Sequence, residues 1–168
     1  LLENKKKHNV TPTHSLEELK KLNELHPQSL HLLLLFKKNI IIGAGSSGPT
    51  TKWGGSNYIN LIIKLQEKCE CYFFILAGPE EKKIVDEIVN KVGEQYAISL
   101  ANKNIKEIIS IIASVDMYIG NDSFGQHIAC QIGKPSIILL LDTPSAYSEY
   151  SKNQHQILPE GASIKDIS

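Results

Sequence analysis

From residue 39 onward, short apolar runs alternate with segments in which apolar residues recur every three or four positions. The short runs are typical of strands buried on both faces, and the recurring pattern is typical of amphipathic helices. This alternation predicts an α/β fold, a Rossmann-like parallel sheet with helices on both faces. The predicted strands cover residues 39–43, 71–77, 96–100, 117–120 and 136–141. The predicted helices cover residues 57–68, 103–114 and 124–132, and a further helix begins at residue 80.

The two ends of the chain have a different character. Residues 1–28 are predicted to be a linker or arm, with a helix at about 15–26 that begins in a capping box at Ser15-Leu16-Glu17-Glu18. Residues 29–150 form the predicted Rossmann-like domain, and residues 151–168 are assigned to a carboxy-terminal tail. The chain begins with Leu1 rather than Met, and we expect it to be part of a longer protein.

Composition narrows the functional classes. Eighteen lysines balance eighteen acidic residues, so the strong basic excess expected of a nucleic-acid binder is absent and no nucleic-acid partner is predicted. The sequence contains no apolar run close to the roughly 20 residues of a membrane span. Three cysteines without repeated spacing fit a reducing compartment, which favours a cytoplasmic location. Because every cationic side chain is a lysine, an anion site must use Lys, hydroxyls and backbone N–H groups.

Glycines and hydroxyl residues follow the first predicted strand. The segment Gly43–Gly48 matches G-x-G-x-x-G, which allows a dinucleotide-binding turn, a glycine-rich turn without a ligand, or a loop that approaches an anionic ligand. A dinucleotide site requires a helix at the third glycine and an acidic residue at the end of the next strand. Residues 49–55 read as loop instead, and the next strand ends near Ala77 without an acidic residue. The pattern favours a loop that approaches phosphate through backbone N–H groups and the side chains of Ser46, Ser47, Thr50, Thr51 and Lys52.

Three further loops follow predicted strands, where parallel sheets bind ligands. The carboxylates of Glu80 and Glu81 either stabilise a helix amino terminus or accept hydrogen bonds from sugar hydroxyls. The segment 120–127 opens a helix and offers a phosphate cradle, in which Asp122 or Ser123 also suits a helix cap and His127 lies on the same side as Ser123. These residues are too close together in sequence for a Ser/His/Asp hydrolase. Residues 142–145 form either a ligand loop or a simple turn.

Four segments together resemble the donor-binding half of the ADP-heptose lipopolysaccharide heptosyltransferases, glycosyltransferase family 9. They are IIIGAGSSGPTTKW (40–53), ILAGPEE (75–81), SLANKNIKEIISIIASVDMYIGNDS (99–123) and HIACQIGKPSIILL (127–140). The resemblance implies one half of a GT-B enzyme, which transfers a sugar from a nucleotide-sugar donor with inversion. For this chain it implies ADP-heptose as the donor in the synthesis of lipopolysaccharide core or a related surface glycan. It implies no cofactor and no metal ion.

The resemblance also assigns residues. The donor-binding residues it implies are Ser46, Ser47, Lys52, Glu80, Asp122, Ser123, Gly125 and His127, and residues 101–105 would lie near the adenine. The family's general base lies in an amino-terminal acceptor domain without a counterpart here, so no catalytic residue is predicted in this chain. A lipid-linked or oligosaccharide acceptor would bind through that domain, at the inner face of the cytoplasmic membrane and with at most peripheral membrane contact.

The chain departs from the family pattern at two positions. The usual lysine two residues before the tryptophan is Thr51 here, with Lys52 next to it, and the bulky Phe124 follows Asp122-Ser123, where the family usually has glycine. Phe124 therefore predicts a reshaped sugar pocket. Two alternatives are retained: an oxidoreductase domain that binds NAD(P) or flavin, and a non-catalytic relative of the glycosyltransferase fold.

Overall fold

The structure is a computed structural model that describes residues 38–48, 50–140, 151–160 and 164–167. Its strands are β1 (Lys38–Gly43), β2 (Cys71–Leu76), β3 (Ala97–Ser99), β4 (Met117–Asn121), β5 (Ser136–Leu139) and β6 (Gln154–Ile157). Its helices are α1 (Gly55–Gln66), α2 (Lys82–Val92), α3 (Ile105–Ser114) and α4 (Phe124–Gln131), with 3-10 turns at Pro79–Glu81 and Ile164–Asp166. The predicted helix at 15–26, the strand end at 141 and the loop at 142–145 lie outside the described residues.

The strands form one sheet in the order β3-β2-β1-β4-β5-β6, and every neighbouring pair is parallel. This is the strand order of doubly wound Rossmann sheets. The predicted parallel Rossmann-like sheet is therefore confirmed. In the part of the chain that the structure describes, no helix is both long and apolar enough to cross a bilayer.

The core consists of two layers, one on each face of the sheet, because successive side chains of a strand point to opposite faces. One layer contains Ile40 and Ile42 of β1 and packs against α1 and α2. The other layer contains Ile41 and packs against α3 and α4. Helices thus cover both faces, which explains why the strands read as continuous apolar runs rather than as alternating patterns.

Helix α3 shows how local sequence sets an element's ends. Asn104 precedes its first turn, and its side-chain oxygen accepts a hydrogen bond from the Glu107 N–H at 3.0 Å. The Glu107 carboxylate in turn accepts from the Asn104 N–H at 2.8 Å, which completes a capping box. Beyond the other end, Lys134 donates through Nζ to the carbonyls of Ala113 and Val115. These contacts satisfy carbonyls at the end of the helix, and partial burial of the ammonium lowers the pKa of Lys134.

The segment assigned from sequence to a carboxy-terminal tail contributes two elements. Gln154–Ile157 adds β6 beside β5, and the Ile164 side chain is fully buried in the core layer that contains α1. The indole N–H of Trp53 also donates to the Ile167 carbonyl at 3.0 Å, which ties the final turn to the loop after β1. The sequence reasoning predicted neither element, because the β6 sequence QHQI is mostly polar and its residues stay partly exposed at the sheet edge.

Buried tyrosine phenols and one buried cysteine thiol predict that the folded chain becomes less stable at alkaline pH. Burial raises the pKa of the Tyr58 and Tyr118 phenols well above the usual 10.0, and it raises the pKa of Tyr72 and of Cys71 to about 12. Such groups keep their protons in the folded chain at pH values where the unfolded chain has lost them. Their contribution to stability is therefore complete below the unfolded pKa values and is lost as the pH rises toward the folded ones. Lys134, whose pKa is lowered, acts in the opposite direction but is a single group.

Urea denaturation at a series of pH values measures this effect. We expect the free energy of unfolding to fall by at least about 3 kcal/mol between about pH 9 and about pH 11, because Tyr58 and Tyr118 each lose about 1.4 kcal/mol per pH unit above 10.0 and Tyr72 and Cys71 add to the fall. Tyr118→Phe removes one of these groups and should reduce the fall. Equal pH dependence in the wild type and Tyr118→Phe would contradict this account.

Candidate functional site

The candidate site lies at the carboxyl ends of β1 and β4, which are neighbours in the centre of the sheet. The chain passes from β1 to a helix on one face and from β4 to a helix on the other, so the two loops diverge and leave a crevice between them. Gly43 lies opposite Gly120 at this point. A Cβ atom on Gly120 would come within 2.6 Å of the Gly43 Cα atom, so the close approach of the two strand ends requires glycine.

The side chain of Asn121 joins the two loops. It is fully buried at the end of β4, and its Nδ2 group donates to the Ala44 carbonyl at 3.0 Å. Its Oδ1 atom accepts from the Tyr58 hydroxyl at 2.8 Å and from the Trp53 N–H at 3.3 Å. One amide therefore fixes the beginning and the end of the loop that connects β1 to α1, and it holds that loop against β4.

A polar cluster occupies the crevice side of the same loop. The Lys52 ammonium lies 2.6 Å from Oε1 of Glu81, and both side chains are mostly shielded from solvent. The Glu81 carboxylate also accepts from the Ser46 N–H at 3.2 Å and from the Gly78 N–H at 3.3 Å. The Ser46 hydroxyl contacts the Thr51 hydroxyl and lies 3.5 Å from the Asp122 carbonyl oxygen. Lysine, hydroxyls and backbone N–H groups thus meet at one place, as the absence of arginine requires of an anion site.

These groups border a cleft of about 1170 Å³, large enough for a nucleotide-sized ligand. Six of the predicted site residues line it: Ser46, Ser47, Lys52, Glu80, Ser123 and Gly125. The far wall comes from the segment around the start of α3, including Ala101, Lys103, Asn104 and Ile105, where the resemblance implies the adenine. Phe124 and Ile105 also line the cleft, although these apolar side chains are 49% and 59% exposed. The cleft therefore combines a polar inner end with apolar side chains that are open to solvent.

The loop after β4 places the remaining predicted residues beside the cleft. Ser123 directly precedes α4, and its hydroxyl lies 3.3 Å from that of Tyr118. Nε2 of His127 is 3.7 Å from Oδ1 of Asp122, so this pair lies together at the first turn of α4. Among the described residues, Asp122 and His127 are the predicted site members that do not line the cleft. A ligand that reaches them must therefore extend past Ser123.

Gly125 has a packing role that the sequence did not indicate. A Cβ atom at this position would lie 2.6 Å from Cδ2 of Leu76 and 3.0 Å from Cε2 of Tyr118. The glycine thus lets the first turn of α4 lie directly on the sheet, close to the cleft. Its assignment as a donor-binding residue stays a prediction.

The sequence reasoning left Glu80 and Glu81 as joint candidates and missed Asn121. The resemblance implies Glu80, which is exposed on the cleft wall, whereas Glu81 turns inward and contacts Lys52. Glu81 lies three residues after Gly78 at the start of a helical turn, a spacing from which its carboxylate can fold back onto the Gly78 N–H, and this signal was visible in the sequence although Gly78 has no side chain to complete a capping box. Asn121 left no comparable signal, because its partners lie 63 to 77 positions away in the sequence.

The arrangement can bind an anion and adjacent hydroxyl groups. Lysine and N–H groups suit phosphate oxygens, and a carboxylate suits sugar hydroxyls. Within the described ranges, no group of three or more His, Cys, Asp or Glu side chains is placed to hold a metal ion. Helix α1 begins only at Gly55, so the third glycine of the G-x-G-x-x-G segment opens no helix, unlike a dinucleotide fingerprint.

Sequence comparisons find relatives that match most of the chain. Residues 2–166 match the family model described as glycosyltransferase family 9 (heptosyltransferase). A lipopolysaccharide heptosyltransferase 1 of Campylobacter coli is 34% identical over 136 residues, which cover 76% of this chain and 39% of the relative. A putative glycosyltransferase of Haemophilus influenzae is 28% identical over 102 residues, or 60% of this chain and 30% of the relative.

Solved structures show the same fold. The ADP-heptose lipopolysaccharide heptosyltransferase II of E. coli superposes with a TM-score of 0.75 at 20% identity, over 92% of this chain and 48% of that one. E. coli heptosyltransferase WaaC with ADP superposes with a TM-score of 0.69 at 15% identity, over 82% of this chain and 44% of that one. The chain thus spans less than half the length of these relatives. Because the family model matches nearly the whole sequence, the chain belongs to glycosyltransferase family 9.

Proposed function

We propose that this chain binds the nucleotide-sugar donor, ADP-heptose, for an inverting glycosyltransferase that acts in the synthesis of lipopolysaccharide core or a related surface glycan. One observation carries the proposal: the loops after β1 and β4 both border one cleft, and the Asn121 side chain joins them. Two solved structures of a relative support the choice of donor. One is a heptosyltransferase with ADP, and the other is the same enzyme with a fluorinated ADP-heptose.

The donor's diphosphate is assigned to the polar end of the cleft. There Lys52 supplies positive charge, and Ser46 and Ser47 supply hydroxyl and N–H donors. In the structure the Glu81 carboxylate accepts from Lys52 and from the Ser46 N–H. We infer that a bound diphosphate takes over contacts to these two donors, which leaves Glu81 to accept hydrogen bonds from ribose or sugar hydroxyls. The adenine is assigned to the wall at residues 101–105.

Loss of the nucleoside diphosphate builds negative charge on its terminal phosphate. A lysine and preorganised N–H donors at that position stabilise the charge, and each well-placed donor is worth roughly 3–4 kcal/mol in enzymes where one has been removed. The residues of this chain therefore bind and polarise the donor. The group that removes the acceptor's proton, and the site for a lipid-linked or oligosaccharide acceptor, are assigned to a domain outside this chain. We also propose that the transfer takes place in the cytoplasm, at the inner face of the cytoplasmic membrane.

A panel of ligands tests this function. Thermal unfolding of the chain should shift upward with ADP more than with UDP or GDP, and it should not shift with NAD. A ligand that binds only the folded state stabilises it by about 2.7 kcal/mol at about one hundred times its Kd, so a shift should be measurable at millimolar concentration. A preference for NAD would support the oxidoreductase alternative. No shift with any nucleotide would favour a non-catalytic relative.

A further inference from the structure

Two cysteine thiols lie together at the amino-terminal end of β2, on the side of the sheet away from the cleft. Cys71 is the first residue of β2, and Cys69 lies two positions before it, in the bend that follows α1. Their Sγ atoms are 2.8 Å apart, within reach of a thiol–thiol hydrogen bond and about 0.8 Å farther apart than in a disulfide bond. Both are free thiols. The two sulfurs therefore face each other at a distance that only a small movement would turn into a bond.

The two thiols differ in access to solvent. Cys69 is exposed, and its Sγ atom lies 3.4 Å from the Leu65 carbonyl near the end of α1. Cys71 is buried, and burial together with the neighbouring Cys69 thiol raises the pKa of Cys71 to about 12. A reagent in solution consequently meets Cys69 first. Cys71 is protected from direct attack but stands next to the sulfur that such a reagent would modify.

We propose that Cys69 and Cys71 form a reversible disulfide by exchange with small-molecule disulfides of the glutathione class. The Cys69 thiolate attacks one sulfur of the reagent, forms a mixed disulfide and releases one small-molecule thiolate. Cys71 gives up its proton to solvent and attacks the Cys69 sulfur, and the second small-molecule thiolate leaves. The protein dithiol loses two electrons and two protons, and the reagent is reduced to two thiols.

The geometry also predicts that this bond is labile. It would close a loop of only three residues and would be exposed on the Cys69 side, and strained or exposed disulfides are more easily reduced than structural ones. The third cysteine stands apart from this chemistry. Cys130 is buried in α4, and its Sγ atom lies 3.2 Å from Oε1 of Gln154.

Differential alkylation with mass spectrometry tests the proposal. The chain is incubated with oxidised glutathione, quenched with acid, alkylated and digested. We expect the peptide that contains both cysteines to lose two hydrogen masses, to resist alkylation at both sulfurs and to carry no glutathione. Reduced glutathione in excess should restore alkylation of both. Cys130→Ser should behave like the wild type.

The variant Cys71→Ser distinguishes disulfide exchange within the chain from simple modification of an exposed thiol. In Cys71→Ser, glutathione should remain attached to Cys69, because no second thiol displaces it. A stable glutathione adduct on Cys69 of the wild-type chain would overturn the proposal. So would a dimer linked through Cys69 on a non-reducing gel, or full alkylation of both thiols after exposure to the oxidant. The wild-type experiment alone decides between these outcomes, even if a variant fails to fold.

Discussion

Asn121→Ala is expected to lower the free energy of unfolding by about 2–4 kcal/mol and to weaken nucleotide binding by at least about tenfold. The substitution removes the amide that bonds to Ala44, Trp53 and Tyr58. The Trp53 N–H and the Ala44 carbonyl would lose this partner, and an unpaired buried polar group costs about 1–3 kcal/mol. The small cavity left behind adds to this cost.

The loss of binding should follow from the same contacts. Without Asn121 the loop between β1 and α1 is no longer held against β4, so Ser46 and Lys52 lose their fixed position over the cleft. Urea denaturation and calorimetric titration with ADP measure the two effects. Asn90→Ala, at an exposed position of α2, is the matched control and should change both by little. If Asn121→Ala matched Asn90→Ala, the amide would not be the link between the two loops.

Lys52→Ala is expected to weaken ADP binding by about 10- to 100-fold. A charge-assisted hydrogen bond contributes about 1.5–3 kcal/mol, and Lys52 is only partly exposed in a cleft where its charge is less screened than on an open surface. The substitution also leaves Glu81 without its cation, so the carboxylate would repel a diphosphate. Lys83→Ala, at an exposed lysine of α2, is the control and should bind as the wild type does.

The double variant Lys52→Ala/Glu81→Gln separates two roles of the lysine. If Lys52 contacts the phosphate directly, removal of the carboxylate's charge restores only part of the affinity. If Lys52 serves only to neutralise Glu81, the double variant should recover the wild-type affinity. Unchanged affinity in Lys52→Ala alone would place the diphosphate elsewhere.

The strands of the sheet and the helices that cover it were predictable because the sequence patterns that indicate them are local. Buried parallel strands read as apolar runs such as Asn39–Gly43, and amphipathic helices repeat every three to four residues, so the alternation indicates the fold before any contact is known. The ends differed by a few residues where capping decides them, as at Asn104. Strand β6 has no such signal, because a partly exposed edge strand is stabilised by its pairing with β5 rather than by its own pattern.

The site was predictable only in part, for a related reason. Glycines, hydroxyls and a lysine after β1 indicate an anion loop, and parallel topology brings that loop to the loop after β4. The inward turn of Glu81 depends on a 3-10 turn at Pro79, and the role of Asn121 depends on partners far away in sequence. Such contacts arise from packing rather than from local propensity. Sequence reasoning therefore identifies the loops more readily than the side chains that join them.

The most direct test of the account is to map ADP onto the isotopically labelled chain by amide chemical-shift perturbation. The central claim is that the loops after β1 and β4 bind one nucleoside diphosphate between them. We expect saturable shifts at residues 44–48, 50–54 and 121–125, with further shifts at residues 101–106 in the opposite wall. Around Cys71, at the amino-terminal end of β2, the changes should be small. Shifts confined to a region away from these loops, or none at saturating ADP, would contradict the account.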